Sequence, residues 1–381
     1  MWICPDKYKR KVVNVNEELS HLKGTLLDKE AKITLARFLK ANIGLTTELI
    51  SGIKLAPYQE IAIKGMMQGN FSMLVWGRGL SKCQKYSKET QLLTKELGLV
   101  SITELLPKVD FSKEEHWFDI GPFHFWNGNE WQLVTKSLTQ PKIETLKIKT
   151  RFGYSVTGSD RHLVKSVNTD NGNCNIVWKK LSDLKVGDSV SISRNTSCWG
   201  ENSGLEEAYL LGLLVGDGCY SQTINHIKFT TADRELLDFV KKFPTGVELK
   251  TNSRAIDVNL KTIFSKELLD RYDIKRSLSY DKEIPRKILS SSFALKEFLS
   301  GLFDTDGCVY ACGGIGFSTT SKLLAEQVHI ALSLFGVIGR LQERKTKSKF
   351  GKVWVINAFG KNALAFQENI GFRLTRKKEK L

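Results

Sequence analysis

Two short runs share one pattern. Residues 210–218 read LLGLLVGDG and residues 299–307 read LSGLFDTDG. Each is apolar and, with its upstream residues from Glu206 and from Ala294, long enough for a helix. Gly212 and Gly216 lie four apart, as do Gly301 and Thr305, so each pair shares a helix face. Small residues at that spacing let two helix backbones approach closely. Asp217 and Asp306 each follow the packing glycine by five residues. Side-by-side packing about a pseudo-twofold axis therefore predicts that the two carboxylates meet at the helix ends. An acid at a helix C-terminus opposes the helix dipole. An unfavourable placement that occurs twice points to function rather than to folding.

The duplicated run resembles the motif of the LAGLIDADG homing endonucleases. The resemblance implies an α+β fold of two αββαββα repeats and Mg²⁺-dependent cleavage of double-stranded DNA, with Asp217 and Asp306 as catalytic metal ligands. Residues 282–285, KEIP, are similar to a stretch before the second motif in the intein-borne members. That similarity implies a catalytic role for Lys282. Lys352 is the candidate for the other half. Residues 322–335 and 370–372 resemble the family's closing helices. Downstream of each motif, residues 247–261 and 339–355 read as strands rich in cations. Strand alternation predicts a basic face carrying Lys250, Arg254, Arg340, Arg344, Lys347 and Lys352, suited to phosphates and base edges.

Upstream, residues 76–82 read WGRGLSK after an apolar run, as a phosphate loop begins. The Mg²⁺-binding hydroxyl expected next is replaced by Cys83, a poor ligand for a hard cation. With Tyr58 and Gln59 upstream, residues 1–82 resemble the ATPase start of a phage-type terminase large subunit, interrupted inside its loop. Gly77, Gly79, Lys82, Tyr58 and Gln59 would then bind ATP only after the loop is rejoined. No acidic Walker B strand follows, so ATP hydrolysis by this chain is not expected.

From Cys83 the chain resembles an intein. Residues 83–94 (CQKYSKETQLLT), 159–162 (SDRH) and 181–188 (LSDLKVGD) follow one another as ordered intein blocks. The resemblance implies an all-β Hint-type splicing region over 83–198. Cys83 would be the nucleophile that converts the Lys82–Cys83 amide to a thioester, His162 the catalytic imidazole and Ser159 its hydrogen-bonding partner. Residues 195–204 read as a linker to the endonuclease at 199–381, with halves near 205–280 and 281–381. No terminal His-Asn appears, so splicing is not expected to finish in cis. Both a split element, awaiting a separate C-terminal intein–extein fragment, and a truncated reading frame fit that ending. A decayed DNA-binding remnant is the alternative, and retention of both acids argues against it.

The bulk numbers agree with these readings. The 381 residues carry 57 Lys and Arg against 41 Asp and Glu, a formal charge of +16 that favours a polyanionic partner. The expected partner is the intein-less terminase gene. Seven cysteines show no zinc spacing, and no secretory or membrane segment is evident. A reduced cytoplasmic setting is the expectation.

Overall fold

The computed structural model describes residues 90–106, 116–139, 144–170, 173–196, 198–220, 226–250, 255–276, 278–346 and 351–381. The chain divides after Cys83, and every described residue belongs to the second unit. The ATPase-like residues Tyr58, Gln59, Gly77, Gly79 and Lys82, the nucleophile Cys83, and Arg254 and Lys347 lie outside the described residues.

The first described region is almost all strand. β1 (Gln91–Thr94) and β2 (Gly98–Ser101) form a hairpin, followed by the short helix α1 (Ile102–Leu105). β3 (His116–Trp126) and β4 (Trp131–Thr139) complete a sheet of order β2-β1-β3-β4. Two further hairpins follow, β5 (Leu146–Lys149) with β6 (Ser155–Gly158), and β7 (Leu163–Asp170) with β8 (Asn173–Lys180). Val190 adds a single isolated bridge to Ser166.

The remainder is a duplicated unit. The first copy runs α2 (Leu205–Asp217), β9 (Gly218–Cys219), β10 (Lys228–Thr231), α3 (Arg234–Val240), β11 (Thr245–Lys250), β12 (Ile256–Leu260) and α4 (Thr262–Arg271). After the short helix α5 (Arg286–Leu289), the second copy runs α6 (Ser292–Asp306), β13 (Gly307–Tyr310), β14 (Gly314–Thr319), α7 (Lys322–Leu334), β15 (Arg340–Lys345), β16 (Lys352–Phe359) and α8 (Lys361–Asn369). The last element is α9 (Thr375–Lys378). Residues 322–335, expected among the closing helices, thus lie between the second copy's strand pairs, with the helix itself over Lys322–Leu334. The two antiparallel sheets have matching orders, β11-β12-β10-β9 and β15-β16-β14-β13.

The core forms where α2 and α6 meet. Leu210, Leu213, Leu299, Leu302 and Phe303 are fully buried there. Gly212 and Gly301 face each other across the contact. A Cβ on Gly212 would lie 2.1 Å from the Phe298 carbonyl oxygen, and one on Gly301 2.3 Å from that of Tyr209. Only hydrogen atoms fit, so the small-residue spacing sets the close approach of the helices.

The segment read as a linker is docked. Trp199 is buried, its indole N–H donates to the Leu289 carbonyl at 3.2 Å, and its backbone N–H donates to Ser292 Oγ at 3.1 Å. Burying a Trp requires a partner for its N–H, which the end of α5 supplies. The all-β region reaches the duplicated unit elsewhere as well. Arg286 Nε donates to Glu104 at 2.7 Å, and Leu341 N–H donates to the Phe152 carbonyl at 3.0 Å.

Candidate active site

Each central helix stops abruptly at its acid. Gly218 and Gly307 are already extended, and each donates its N–H to the carbonyl four residues back, Leu214 and Phe303 respectively. A Cβ at either glycine would lie 2.3 Å from that same oxygen. The Asp-Gly pair is therefore a helix-to-strand switch that leaves the carboxylate at the last helical position.

Helix C-termini leave carbonyls without intrahelical partners. Here two lysines satisfy them in equivalent ways. Lys282 Nζ donates to the carbonyls of Val215 (2.6 Å), Gly216 (3.0 Å) and Gly218 (3.1 Å). Lys377 Nζ donates to those of Asp304 (2.7 Å), Thr305 (3.3 Å) and Gly307 (2.6 Å), and also to Phe303 (2.8 Å). Val215, Gly216 and Gly218 occupy the same motif positions as Asp304, Thr305 and Gly307. A cation at each helix C-terminus also compensates the dipole that the aspartates oppose.

The four charged groups form one electrostatic cluster. Burial pushes the Asp306 carboxyl up to about 6, Asp217 adds to the rise, and Lys282 and Lys377 counter it. Desolvation at the helix end raises the Asp217 carboxyl above the usual range, against the pull of the same two lysines, and Asp233 adds to the rise. Burial lowers both lysines, opposed by Asp306 and Asp217 at Lys282 and by Asp304 at Lys377. The influence of Asp217 on Asp306 requires proximity. Among the described residues no cluster of three or more His, Cys, Asp or Glu could enclose a metal ion.

Asp304, the first acid of the second motif, has a different position. It is 1% exposed and accepts from the Tyr209 hydroxyl at 2.5 Å and from the N–H groups of Arg373 (3.1 Å) and Leu374 (3.2 Å). It ties α6 to α2 and to the segment that carries Lys377. Arg376 extends the tie by a bidentate contact with Asp233, 2.8 Å on each arm.

Alternation along β15 puts Arg340, Gln342 and Arg344 on the face opposite half-buried Leu341. Lys352 pairs in register with Lys345, on the face of Leu341, and its Nζ lies 2.7 Å from Glu343. Lys352 therefore joins neither the acids nor the Arg340 row. The register that pairs Lys345 with Lys352 breaks the simple alternation expected over 339–355. Lys377 occupies the place for which Lys352 was the sequence candidate. A signal existed, because Lys282 and Lys377 stand at comparable intervals downstream of Asp217 and Asp306. Lys250 ends β11 opposite Ile256, and its side chain lies outside the described set.

In the all-β region, Ser159 and His162 are both buried and share one turn, in which the His162 N–H donates to the Ser159 carbonyl at 3.0 Å. Burial lowers the His162 pKa.

Residues 204–280 and 294–371 both match the family model described as LAGLIDADG-like domain. The chain carries a LAGLIDADG-like domain in two copies. The LAGLIDADG-like copies coincide with the two structural repeats and contain Asp217 and Asp306. Curated relatives include the replication factor C small subunit of Methanocaldococcus jannaschii, 32% identical over 263 residues, which cover 66% of this chain and 14% of that protein. A DNA gyrase subunit of Mycolicibacterium flavescens is 27% identical over 249 residues, 60% of this chain and 44% of that one. The replicative DNA helicase DnaB of Rhodothermus marinus is 27% identical over 252 residues, 59% and 26% respectively. The chain thus spans less than half the length of each of these relatives. Similar solved structures include the N-terminal LAGLIDADG domain of DUF199/WhiA, with 18% identity and a TM-score of 0.33 over 47% of this chain and 89% of that one. Another is I-DmoI in complex with DNA and Ca, with 18% identity and a TM-score of 0.32 over 45% and 91%.

Proposed function

We propose that this chain is a site-specific double-strand DNA endonuclease of the homing type, dependent on Mg²⁺. The observation that carries the reading is the pseudo-symmetric cluster Asp217, Asp306, Lys282 and Lys377 at the paired helix ends. Each half contributes one acid and one lysine, which suits the cutting of two strands. The donor set fits a hard divalent ion that takes one or two carboxylates and completes its shell with water and substrate phosphate oxygens. Asp217 and Asp306 would hold it. When bound, the ion activates water and stabilises the departing oxygen of the phosphodiester. The protein's own groups keep the two acids close and surround them with positive charge that phosphate must meet. Lys282 and Lys377 orient the helix ends and favour the ionised carboxylates.

The test is cleavage by purified protein of a terminase gene lacking the inserted segment. Mg²⁺-dependent double-strand cutting, lost in Asp217→Asn and in Asp306→Asn, is expected. Failure to cut that site, or cutting that survives both substitutions, would refute the proposal.

A second reading concerns the host of this endonuclease. An aligned block is found in a replication factor C small subunit, a gyrase subunit and a helicase, as a fraction of each. It is also longer than the 204–371 segment. That pattern favours an insertion element, and supports intein chemistry at Cys83 with His162 and Ser159 as its helpers. The terminase context rests on residues 58–59 and 76–82 alone. Treatment with a thiol should then cleave the chain between Lys82 and Cys83. Cleavage that persists in Cys83→Ala would count against the reading.

A further inference from the structure

The two sheets carry their outward faces differently. On the second, Arg340 pairs with Asn357, Asn357 with Gly316, and Gly316 with Cys308, so one row crosses the whole face. With its amide oxygen turned toward Arg340, Gln342 accepts from Nε at 3.2 Å and from Nη2 at 3.1 Å. That contact occupies one edge of the guanidinium and leaves the Nη1 side directed elsewhere. The Tyr310 hydroxyl donates to Asn357 Oδ1 at 2.7 Å, which leaves the Asn357 amide nitrogen as a donor. Tyr310 fits over Gly316, where a Cβ would lie 2.4 Å from its hydroxyl. Arg340 and Arg344 are exposed on this face.

The first sheet offers a self-paired row. Asp257 accepts from Lys228 Nζ at 3.1 Å with one oxygen and from the Thr230 hydroxyl at 2.7 Å with the other. The neighbouring Leu249, opposite Asp257 in register, is 55% exposed and apolar. Among the described residues this face presents an internally neutralised cation and a methyl-bearing surface. In the first sheet the position matching Arg340 lies opposite Asn259, in the bulge at Gly246 and Val247, and holds no cation, whereas on the second sheet it holds a guanidinium already oriented by an amide.

We infer that the two wings read DNA unequally: Arg340, positioned by Gln342, selects a guanine in the half-site beneath the 307–359 sheet, and the 218–260 sheet discriminates weakly. A guanidinium fork matches guanine O6 and N7 in the major groove. A lysine held by Asp257 must first break that pair before it reaches a phosphate or a base. The inference rests on the DNA-binding part of the proposed function, not on its cleavage chemistry.

The test is selection of bound sequences from a random-sequence duplex library, in Ca²⁺ to separate binding from cutting, with cleavage in Mg²⁺ scored in parallel. Wild type should enrich one half-site more strongly than the other, with guanine at one position of the stronger half. Arg340→Ala should lower that guanine preference on the order of ten- to a hundredfold. Arg340→Lys should lower it while keeping the salt dependence of binding. Gln342→Leu should weaken the same position and no other. The inference is overturned by equal information in both half-sites or by no enrichment. A uniform loss of affinity in Arg340→Ala, with a shallower salt slope, would also overturn it, because that marks a phosphate contact. Selective binding without cutting would instead overturn the nuclease reading alone.

Discussion

Asp306 shows how one residue can be placed at a cost to stability, as its proposed metal-binding role would require. Its carboxyl titrates near 6 in the folded chain, above the 3.8 of a free side chain, because burial and Asp217 disfavour its charge. Below the unfolded value both states are protonated and the penalty is absent. As pH rises above 3.8 the unfolded carboxyl ionises first, so stability falls until about 6, above which the whole penalty of ionising the buried acid is present. Asp306→Asn is therefore expected to stabilise the metal-free protein at pH 7.5 by about 1–3 kcal/mol while abolishing cutting. Urea titration with and without Mg²⁺ checks the pair of effects. At the lysines, Lys377→Met should reduce cleavage as severely as Lys282→Met, whereas Lys352→Met should leave it within about twofold of wild type, as expected for an exposed ion pair. Single-turnover cleavage of the same site separates these outcomes. The positions of Asp217 and Asp306 at the helix ends were legible from motif and spacing, and Lys282 was singled out by resemblance. Lys377 was not singled out, because its role depends on a fold-back of the C-terminal segment onto α6 that no local pattern announces.

Among the elements, α2 and α6 set the geometry of everything else. Helix propensity alone makes Gly→Ala favourable by about 1 kcal/mol. At Gly212 the added methyl would meet the Phe298 carbonyl oxygen at 2.1 Å, so the helices must separate. Gly212→Ala is expected to destabilise by a few kcal/mol and to lower cutting more than binding, since the acids part with the helices. A calorimetric scan together with a mobility-shift assay would check this, and a stabilised variant would contradict the packing account. The existence of these helices, and of strands after each, was readable from periodicity. The face presented by each strand was not. The register follows from pairing with a neighbour, and the pairing of Lys352 with Lys345 puts Lys352 on the face opposite Arg340.

For the molecule as a whole, the all-β region and the duplicated unit share a packed boundary. Tyr154 stacks on His329 with ring centroids 3.9 Å apart, and His329 Nε2 lies 2.9 Å from the Gly339 carbonyl oxygen. A side chain at Gly153 would meet Leu341 at 2.9 Å. Burial holds His329 at about 4, below its ordinary 6.5, although the Gly339 contact opposes the shift. The neutral ring is favoured, so its contribution is full above pH 6.5 and is lost as pH falls toward 4. The fall in stability between those pH values should be up to about 3 kcal/mol. It should flatten in His329→Gln. Denaturant midpoints at pH 7.5 and 4.5 provide the comparison, and an equal fall in both proteins would contradict the assignment. Residues 195–204 look linker-like in composition, yet Trp199 anchors them, because an apolar side chain binds wherever a matching cavity exists.

By itself the sequence determined the duplicated helices, the pairing of their glycines and the presence of an acid at each helix end. Those features are local, and periodicity and small-residue spacing report local geometry directly. Only the tertiary structure decided that Lys377 mirrors Lys282, that Asp304 is a buried tie rather than a ligand, and which strand faces carry Arg340 and Lys352. Each of those depends on contacts between residues far apart in the chain, whose distances follow from how the two halves and the C-terminal segment pack.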